Sequence, residues 1–429
     1  MRKRLVKTMG LCLWAVVSVM LPLPMAHPSF GDDIPFRSAL PALESETTAT
    51  PTPAAVEPPP DSPGDETFEV LCYHRFVQKP DEREGLAQAQ YQMPMEDFKW
   101  QMQYLRDNGF TPISEGQLMD FWFRGKPLPP KPVLITFDDG FRTIYRDAFP
   151  VMKSYGYPSI FFLYTKFIEN GEAALKRRAD QKKKHKVKLG VEPLEIGDIL
   201  SMQNSGMIVE SHTANHLNLG LVNEQKAPVD YQKLLEFELS EPLTFIQSNF
   251  KRRPELIAYP YGVYDPAILK TTHEEGYKLA FTVNPGPNDH TVDPLKLRRE
   301  LVLYPISHER FAKFFTDKVL HMTGLSPADG DVIDTQKPVI TAQIGDDVVP
   351  RSIRLQSGNR ILRVQYDPKT RLLTHRVDEE LTQGGHILTL RATDVKGVSR
   401  VYNWYFRIRH KRYEKMETDS GIGIENAPN

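Results

Sequence analysis

Seven short apolar runs alternate with amphipathic segments between Thr67 and Lys318, and this alternation limits the fold more than any other feature of the chain. The runs are FEVLCYH (68–74), PVLITFD (132–138), PSIFFLY (158–164), MIVESH (207–212), ELIAYP (255–260), LAFTV (279–283) and LRRELV (297–302). Their length and apolar content predict strands. The segments between them have helical spacing. MEDFKWQMQYLRDNG places Phe98, Met102 and Leu105 on one face and stops at Gly109. YQKLLEFELSEPLTFIQSNF repeats apolar residues at Leu234, Leu235, Phe237, Leu239, Leu243 and Phe245, and Pro266 opens a further helix ending near Gly276. Consecutive strands joined through helices pair in parallel, so the expected class is α/β with about seven units. A barrel and an open doubly wound sheet both fit. In either, chemistry belongs at the C-terminal ends of the strands.

The flanking regions differ in kind. Arg2, Lys3, Arg4 and Lys7 precede an apolar run from Leu11 to Leu21, and Ala26 follows. This reads as a signal peptide over 1–26, implying export to the periplasm, the cell envelope or the medium. The run is short for a membrane span, and an uncleaved N-terminal membrane tether is the alternative. Of the 2 cysteines, Cys72 alone would remain after cleavage, so no disulfide is expected. Residues 27–66 are rich in Pro, Thr, Ala and acid and form a linker. A formal net charge of −1 argues against a dedicated nucleic-acid binder. LKRRADQKKKHKVKLG (175–190) is a basic insertion, read as a solvated loop, with a clamp for an anionic polymer or surface as the functional alternative. After residue 326 the pattern becomes all-strand. In RVYNWYFRIRH, Tyr402, Trp404, Phe406 and Ile408 alternate with Asn403, Tyr405 and Arg407, which predicts burial of one face.

Several barrel strands end in polar residues: Tyr73-His74, Asp138-Asp139-Gly140, Ser211-His212 with His216 four residues on, and Tyr259-Pro260-Tyr261-Gly262. Adjacent side chains in an extended strand point apart, but Gly140 permits a turn that brings both aspartates to one cavity. His212 and His216, placed on one helical turn, can share a cation. Two imidazoles and one carboxylate make a zinc site with an open position, leaving the second carboxylate free as a base.

TFDDG (136–140), SHTANH (211–216) and YPYG (259–262), in that order, resemble the motifs of NodB-type polysaccharide deacetylases, carbohydrate esterase family 4. YHRF (73–76), ISEGQLMDF and YPSIFFL resemble the branch acting on poly-N-acetylglucosamine exopolysaccharide. The resemblance implies a distorted (β/α)7-type barrel and a divalent metal, usually zinc. It implies Asp139, His212 and His216 as ligands, Asp138 as general base, the backbone N–H of Tyr261 at the oxyanion, and Tyr259 and Tyr261 against the substrate. Ala258 stands where the family often has an arginine that orients the base; Arg299 is the candidate replacement and Arg298 its alternative. His308 matches the family's late motif poorly, and the resemblance to the exopolysaccharide branch implies His74, at the first strand end, as the proton donor. GGHILTLRATDVKGVSRVYNWYFRI resembles the last hairpin of bacterial Ig-like domains. The expected organisation is a signal peptide (1–26), a linker (27–66), the deacetylase domain (67–325), an Ig-like sandwich (335–411) and a disordered tail (412–429). The implied activity is removal of N-acetyl groups from an N-acetylglucosamine polysaccharide. The alternatives are a peptidoglycan or chitin-oligomer deacetylase, an O-acetyl esterase, or a non-catalytic glycan-binding protein.

Overall fold

The computed structural model describes residues 67–79, 89–181, 191–225 and 228–409. The expected signal segment, the linker, most of the basic insertion and the tail lie outside the described residues. The described residues all belong to one compact unit. Among the described residues no helix is long and apolar enough to cross a membrane.

All seven expected strands are present: β1 (Glu69–Tyr73), β2 (Pro132–Phe137), β3 (Ile160–Leu163), β4 (Ile208–Ser211), β5 (Leu256–Ala258), β6 (Leu279–Phe281) and β7 (Glu300–Leu301). They pair in parallel in the order β7-β1-β2-β3-β4-β5-β6. The helices between them include α1 (Met95–Asp107), α2 (Glu115–Arg124), α3 (Phe149–Tyr155), α4 (Thr165–Gln181), α5 (Ile196–Gln203), α6 (Leu219–Gln225), α7 (Pro228–Phe250) and α8 (Pro266–Glu274). The ring closes through the segment that carries β7. Leu297 bridges Phe281 in parallel, and Glu300 and Leu301 pair with Leu71 and Cys72. The barrel reading therefore holds over the open sheet.

Side-chain alternation divides the strands into two faces. Val70, Leu134, Ile160, Phe162, Leu256, Ala258, Phe281 and Leu297 share one cluster, with Phe121 and Trp122 of α2. This is the barrel interior. Leu71, Tyr73, Ile135, Phe137, Phe161 and Leu163 face outward onto Phe98, Met102 and Leu105 of α1 and onto α3 and α5. In α7 the buried face is Tyr231, Leu235, Glu238, Leu239, Pro242, Leu243, Ile246 and Phe250. Phe237, expected on that face, is exposed.

The chain then enters an all-β sandwich. Its strands are β8 (Lys318–Val319), β9 (Met322–Ser326), β10 (Val332–Ile333), β11 (Val339–Ile344), β12 (Arg354–Ser357), β13 (Arg360–Leu362), β14 (Gln365–Asp367), β15 (Leu372–Arg376), β16 (Gly384–Thr393) and β17 (Ser399–Ile408). One sheet has the order β8-β17-β16-β12-β13, with β10 also on β17; the other is β9-β11-β15-β14. The two share a core around Trp404, Phe406, Leu355, Ile340 and Leu373. Two expectations are corrected here. Strand pairing within the sandwich begins at Lys318, ahead of the expected 325/335 boundary, because β8 and β9 already pair with β17 and β11. β17 is buried on both faces, since Asn403, Tyr405 and Arg407 pack against the barrel while Trp404 and Phe406 fill the sandwich.

Burial also sets a pH dependence. Glu300 is part-buried beside fully enclosed Glu69, and its Oε1 accepts the Gly286 amide at 2.8 Å. Burial raises its pKa from 4.5 to about 7. The folded state thus holds this proton more tightly than the unfolded chain. Its stabilising share is complete below pH 4.5 and is lost as pH rises through 7. Glu300→Gln keeps an acceptor for Gly286 and removes the charge. It is expected to add on the order of 2 kcal/mol at pH 8 and little at pH 4.5, read from denaturant unfolding at both pH values. A gain of equal size at both would contradict the burial argument.

Candidate active site

The inward alternation delivers the polar groups to one mouth. Cys72 continues the inner face of β1, Asp138 that of β2, His212 that of β4, and Arg299 points inward two residues after Leu297. Asp138, His212 and Arg299 are 2%, 2% and 0% exposed.

Asp139 reaches the same cavity by a backbone reversal. Its φ is 71° and that of Gly140 is 85°, so two consecutive residues are left-handed. Glycine suits position 140, because its φ is left-handed and a Cβ there would lie 2.8 Å from Leu163 Cδ2, which would have to move. The expected turn is therefore present, and it begins one residue earlier than glycine alone would suggest.

His212 and His216 do not lie on a helical turn. Residues 212–218 form a loop in which Thr213 (φ 64°) and His216 (φ 57°) are left-handed. The loop is held from α7 by Glu238, which is fully buried. Its carboxylate accepts the Asn215 amide at 2.8 Å and the Asn215 side chain at 2.7 Å, and its carbonyl accepts the Ala214 amide at 3.0 Å. The His216 amide donates to Thr213 Oγ1 at 3.1 Å. A carboxylate on the apolar stripe of a helix was the sequence signal for this role.

Two aspartates end in different surroundings. Asp138 is clasped by Arg299, with Nη1 to Oδ1 at 2.7 Å and Nη2 to Oδ2 at 2.8 Å. Arg299 Nε donates to the Thr282 carbonyl at 2.8 Å, which fixes the fork. The Cys72 thiol donates to Asp138 Oδ2 at 3.3 Å. Burial alone would raise the Asp138 carboxyl, but the Arg299 guanidinium outweighs it and holds the group well below the usual carboxylate range. Arg298, the alternative to Arg299, faces the other way.

Asp139 Oδ1 is buried and accepts no hydrogen bond. It faces His216 Nε2 at 3.2 Å and His212 Nε2 at 3.6 Å. His212 Nδ1 lies 2.7 Å from the Ala258 carbonyl, which can only accept, so the ring proton sits on Nδ1 and the Nε2 lone pair points at Asp139. Burial lowers the His212 pKa to about 4, keeping the ring neutral. A carboxylate oxygen and a neutral imidazole lone pair facing each other are mutually unfavourable until a cation sits between them. The three side chains bring one ligand atom each within 4.8 Å of one another, and this donor set fits a divalent metal ion.

The remaining expected residues separate. His74 lies at the mouth, its pKa lowered by burial, its ring 4.8 Å from Tyr91. Tyr261 is 55% exposed at the rim, at φ 59°, its ring 4.8 Å from His216. Tyr259 is a correction. It is fully buried and points outward from β5, under α7 and α8 with Tyr231, Leu239 and Tyr264, so it cannot meet substrate. Alternation is the reason: Ala258 faces the cavity and its neighbour faces away. His308 stacks on Trp100 at 3.5 Å on the outer layer. Sequence reasoning missed Cys72, Tyr91 and Tyr164 at the site; the Tyr164 ring lies 5.2 Å from His216.

Residues 125–280 match the family model described as polysaccharide deacetylase. A Bacillus subtilis (strain 168) protein provisionally named polysaccharide deacetylase YxkH is 28% identical over 223 residues, 52% of this chain and 70% of its own length. The poly-beta-1,6-N-acetyl-D-glucosamine N-deacetylase of Staphylococcus epidermidis is 26% identical over 241 residues, 54% of this chain and 78% of its own. The Escherichia coli (strain K12) protein of the same name is 23% identical over 217 residues, which cover 44% of this chain and only 30% of that protein. With the barrel and its four converging strand ends, these matches identify a NodB-type polysaccharide deacetylase domain, a hydrolase of amide bonds.

Proposed function

We propose that the barrel removes N-acetyl groups from an N-acetylglucosamine-containing polysaccharide, exopolysaccharide in preference to peptidoglycan or chitin oligomers. The supporting observation is the division between the two aspartates. One is neutralised by a buried arginine, and the other presents an unpaired oxygen to two imidazoles. The relatives named for poly-beta-1,6-N-acetyl-D-glucosamine support the choice of polymer.

Asp139, His212 and His216 would hold a divalent cation, zinc by donor set. When bound, that cation supplies a Lewis acid for the amide carbonyl and acidifies water. The rest falls to this chain's residues. Asp138, kept ionised by Arg299, accepts the proton of the attacking water as the C–O bond forms. His74, whose ring lies within 4.8 Å of Asp138, takes up that proton and donates it to the amine nitrogen as the C–N bond breaks, giving acetate and a free amino sugar. The Tyr261 backbone N–H is the donor proposed for the developing oxyanion. A glycan-binding protein would need neither the clasped base nor the unpaired carboxylate. Export through the N-terminal signal segment, with the periplasm or cell envelope as destination and biofilm polymer as the setting, belongs to the same reading. So does an Ig-like identity for the sandwich.

The test is acetate release from poly-β-1,6-N-acetylglucosamine and from peptidoglycan, with and without chelator. Chelation is expected to cut release on the first polymer by about 10³-fold, with recovery on adding zinc. His212→Ala should lose both bound metal and turnover. Undiminished release in chelator would reject the metal reading, and faster release from peptidoglycan would reject the polymer.

A further inference from the structure

Arg298 and Arg299 stand back to back in the segment that leads into β7. Arg299 reaches inward to Asp138, whereas Arg298 reaches outward, its guanidinium 4.1 Å from the centre of the Tyr402 ring on β17. The loop that precedes this segment is tied to it at several points. The Arg299 amide donates to the Asn284 carbonyl at 3.0 Å, Arg298 Nη1 donates to the Pro287 carbonyl at 3.0 Å, and Asn288 exchanges bonds of 2.8 and 3.0 Å with the Arg298 backbone. The Thr282 carbonyl at the loop's start receives Arg299 Nε. Loop and segment thus form one piece that carries the arginine.

The sandwich grips that piece from behind. Asn403 Nδ2 donates to the Pro285 carbonyl at 2.7 Å. Gly286 (φ 116°) packs so closely that a Cβ there would lie 3.2 Å from Asn403 Nδ2 and 3.6 Å from Val401. Lys296 Nζ donates to the Asp329 carbonyl at 3.1 Å. Asn284 Nδ2 donates to the Tyr264 hydroxyl at 2.7 Å, and that hydroxyl in turn donates to Asp329.

We infer that the C-terminal sandwich is a brace for the active site: Tyr402 and Asn403 are positioning residues that hold the 284–299 piece, and through it the Arg299 fork, against Asp138. This rests on the deacetylase reading for its kinetic consequence but not for its structural one. Guanidinium over an aromatic face and an amide on a loop carbonyl are both directional contacts. Their loss would leave the fold intact and let the fork drift.

The test uses the full chain as Tyr402→Leu/Asn403→Ala, with Tyr402→Phe as the variant that keeps the ring. Expected for the double variant is a kcat on the N-acetylglucosamine polymer lower by roughly 10- to 100-fold with KM little changed, since small misplacement of a catalytic array costs rate and leaves affinity. Metal stoichiometry should equal wild type, and Tyr402→Phe should restore kcat. A second readout needs no turnover. Amide hydrogen exchange in peptides covering 297–302 should rise about tenfold in the double variant and stay at wild-type level in Tyr402→Phe. A wild-type protein that releases no acetate would reject the deacetylase reading and leave the exchange experiment to decide the brace. Wild-type kcat with wild-type exchange in the double variant would overturn it, even if its melting temperature fell. So would an equal loss in Tyr402→Phe.

Discussion

Asp138→Asn is expected to keep metal binding at wild-type stoichiometry while acetate release falls by about 10²- to 10⁴-fold, the range for loss of a general base. The substitution preserves size and one acceptor for the Arg299 fork. It also leaves Asp139, His212 and His216 untouched, so metal and turnover should part company. That separation distinguishes Asp138 from His212, whose loss removes both. Metal analysis of the purified variant beside the acetate assay makes the measurement. Turnover equal to wild type would reject Asp138 as the base, and loss of metal would place it among the ligands.

Arg299→Leu is expected to destabilise the fold by about 3–5 kcal/mol, because it strands the Asp138 carboxylate in a cavity with no counter-charge. With burial unopposed the pKa of the carboxylate would rise, so turnover should fall as well. Arg299→Lys restores the charge but not the two parallel bonds to Oδ1 and Oδ2, nor the Nε bond to Thr282. It should recover most of the stability and little of the rate. Denaturant unfolding of the two variants at pH 7, with acetate assays alongside, tests the pair. A leucine variant as stable as wild type would show that Arg299 does not hold Asp138 in its charged form.

The barrel strands were readable in the sequence because buried parallel strands are short, apolar throughout and set apart by helical spacing. Asp138, Asp139, His212 and His216 were readable because they cluster in two compact motifs. What escaped was mostly a matter of which way a side chain points. The YPYG motif points to Tyr259 as a substrate contact, whereas alternation along β5 sends it into the core. The same alternation, once β7 is paired with β1, decides between Arg298 and Arg299. The spacing of the histidine pair permits a helical turn, whereas left-handed Thr213 and His216 break it and Glu238 holds the loop. Glu238, Cys72 and Tyr164 carry no motif, and each reaches the site through contacts remote in sequence. β17 was expected to bury one face because its pattern alternates aromatic with polar residues. The polar ones turned out to be the contacts to the barrel, so polarity there marks an interface and not solvent.

The ring of strands is completed by the 297–301 segment, which bonds to β6 on one side and to β1 on the other. A chain made from its N-terminus must therefore leave that gap open until residue 301 has emerged, and the grip on its back waits for residue 403. During this interval both aspartates, both histidines and Cys72 are already synthesised while the guanidinium that neutralises Asp138 is not in place. Nascent chains halted before residue 297 should accordingly present the Cys72 thiol to alkylating reagents, and chains released past 408 should shield it.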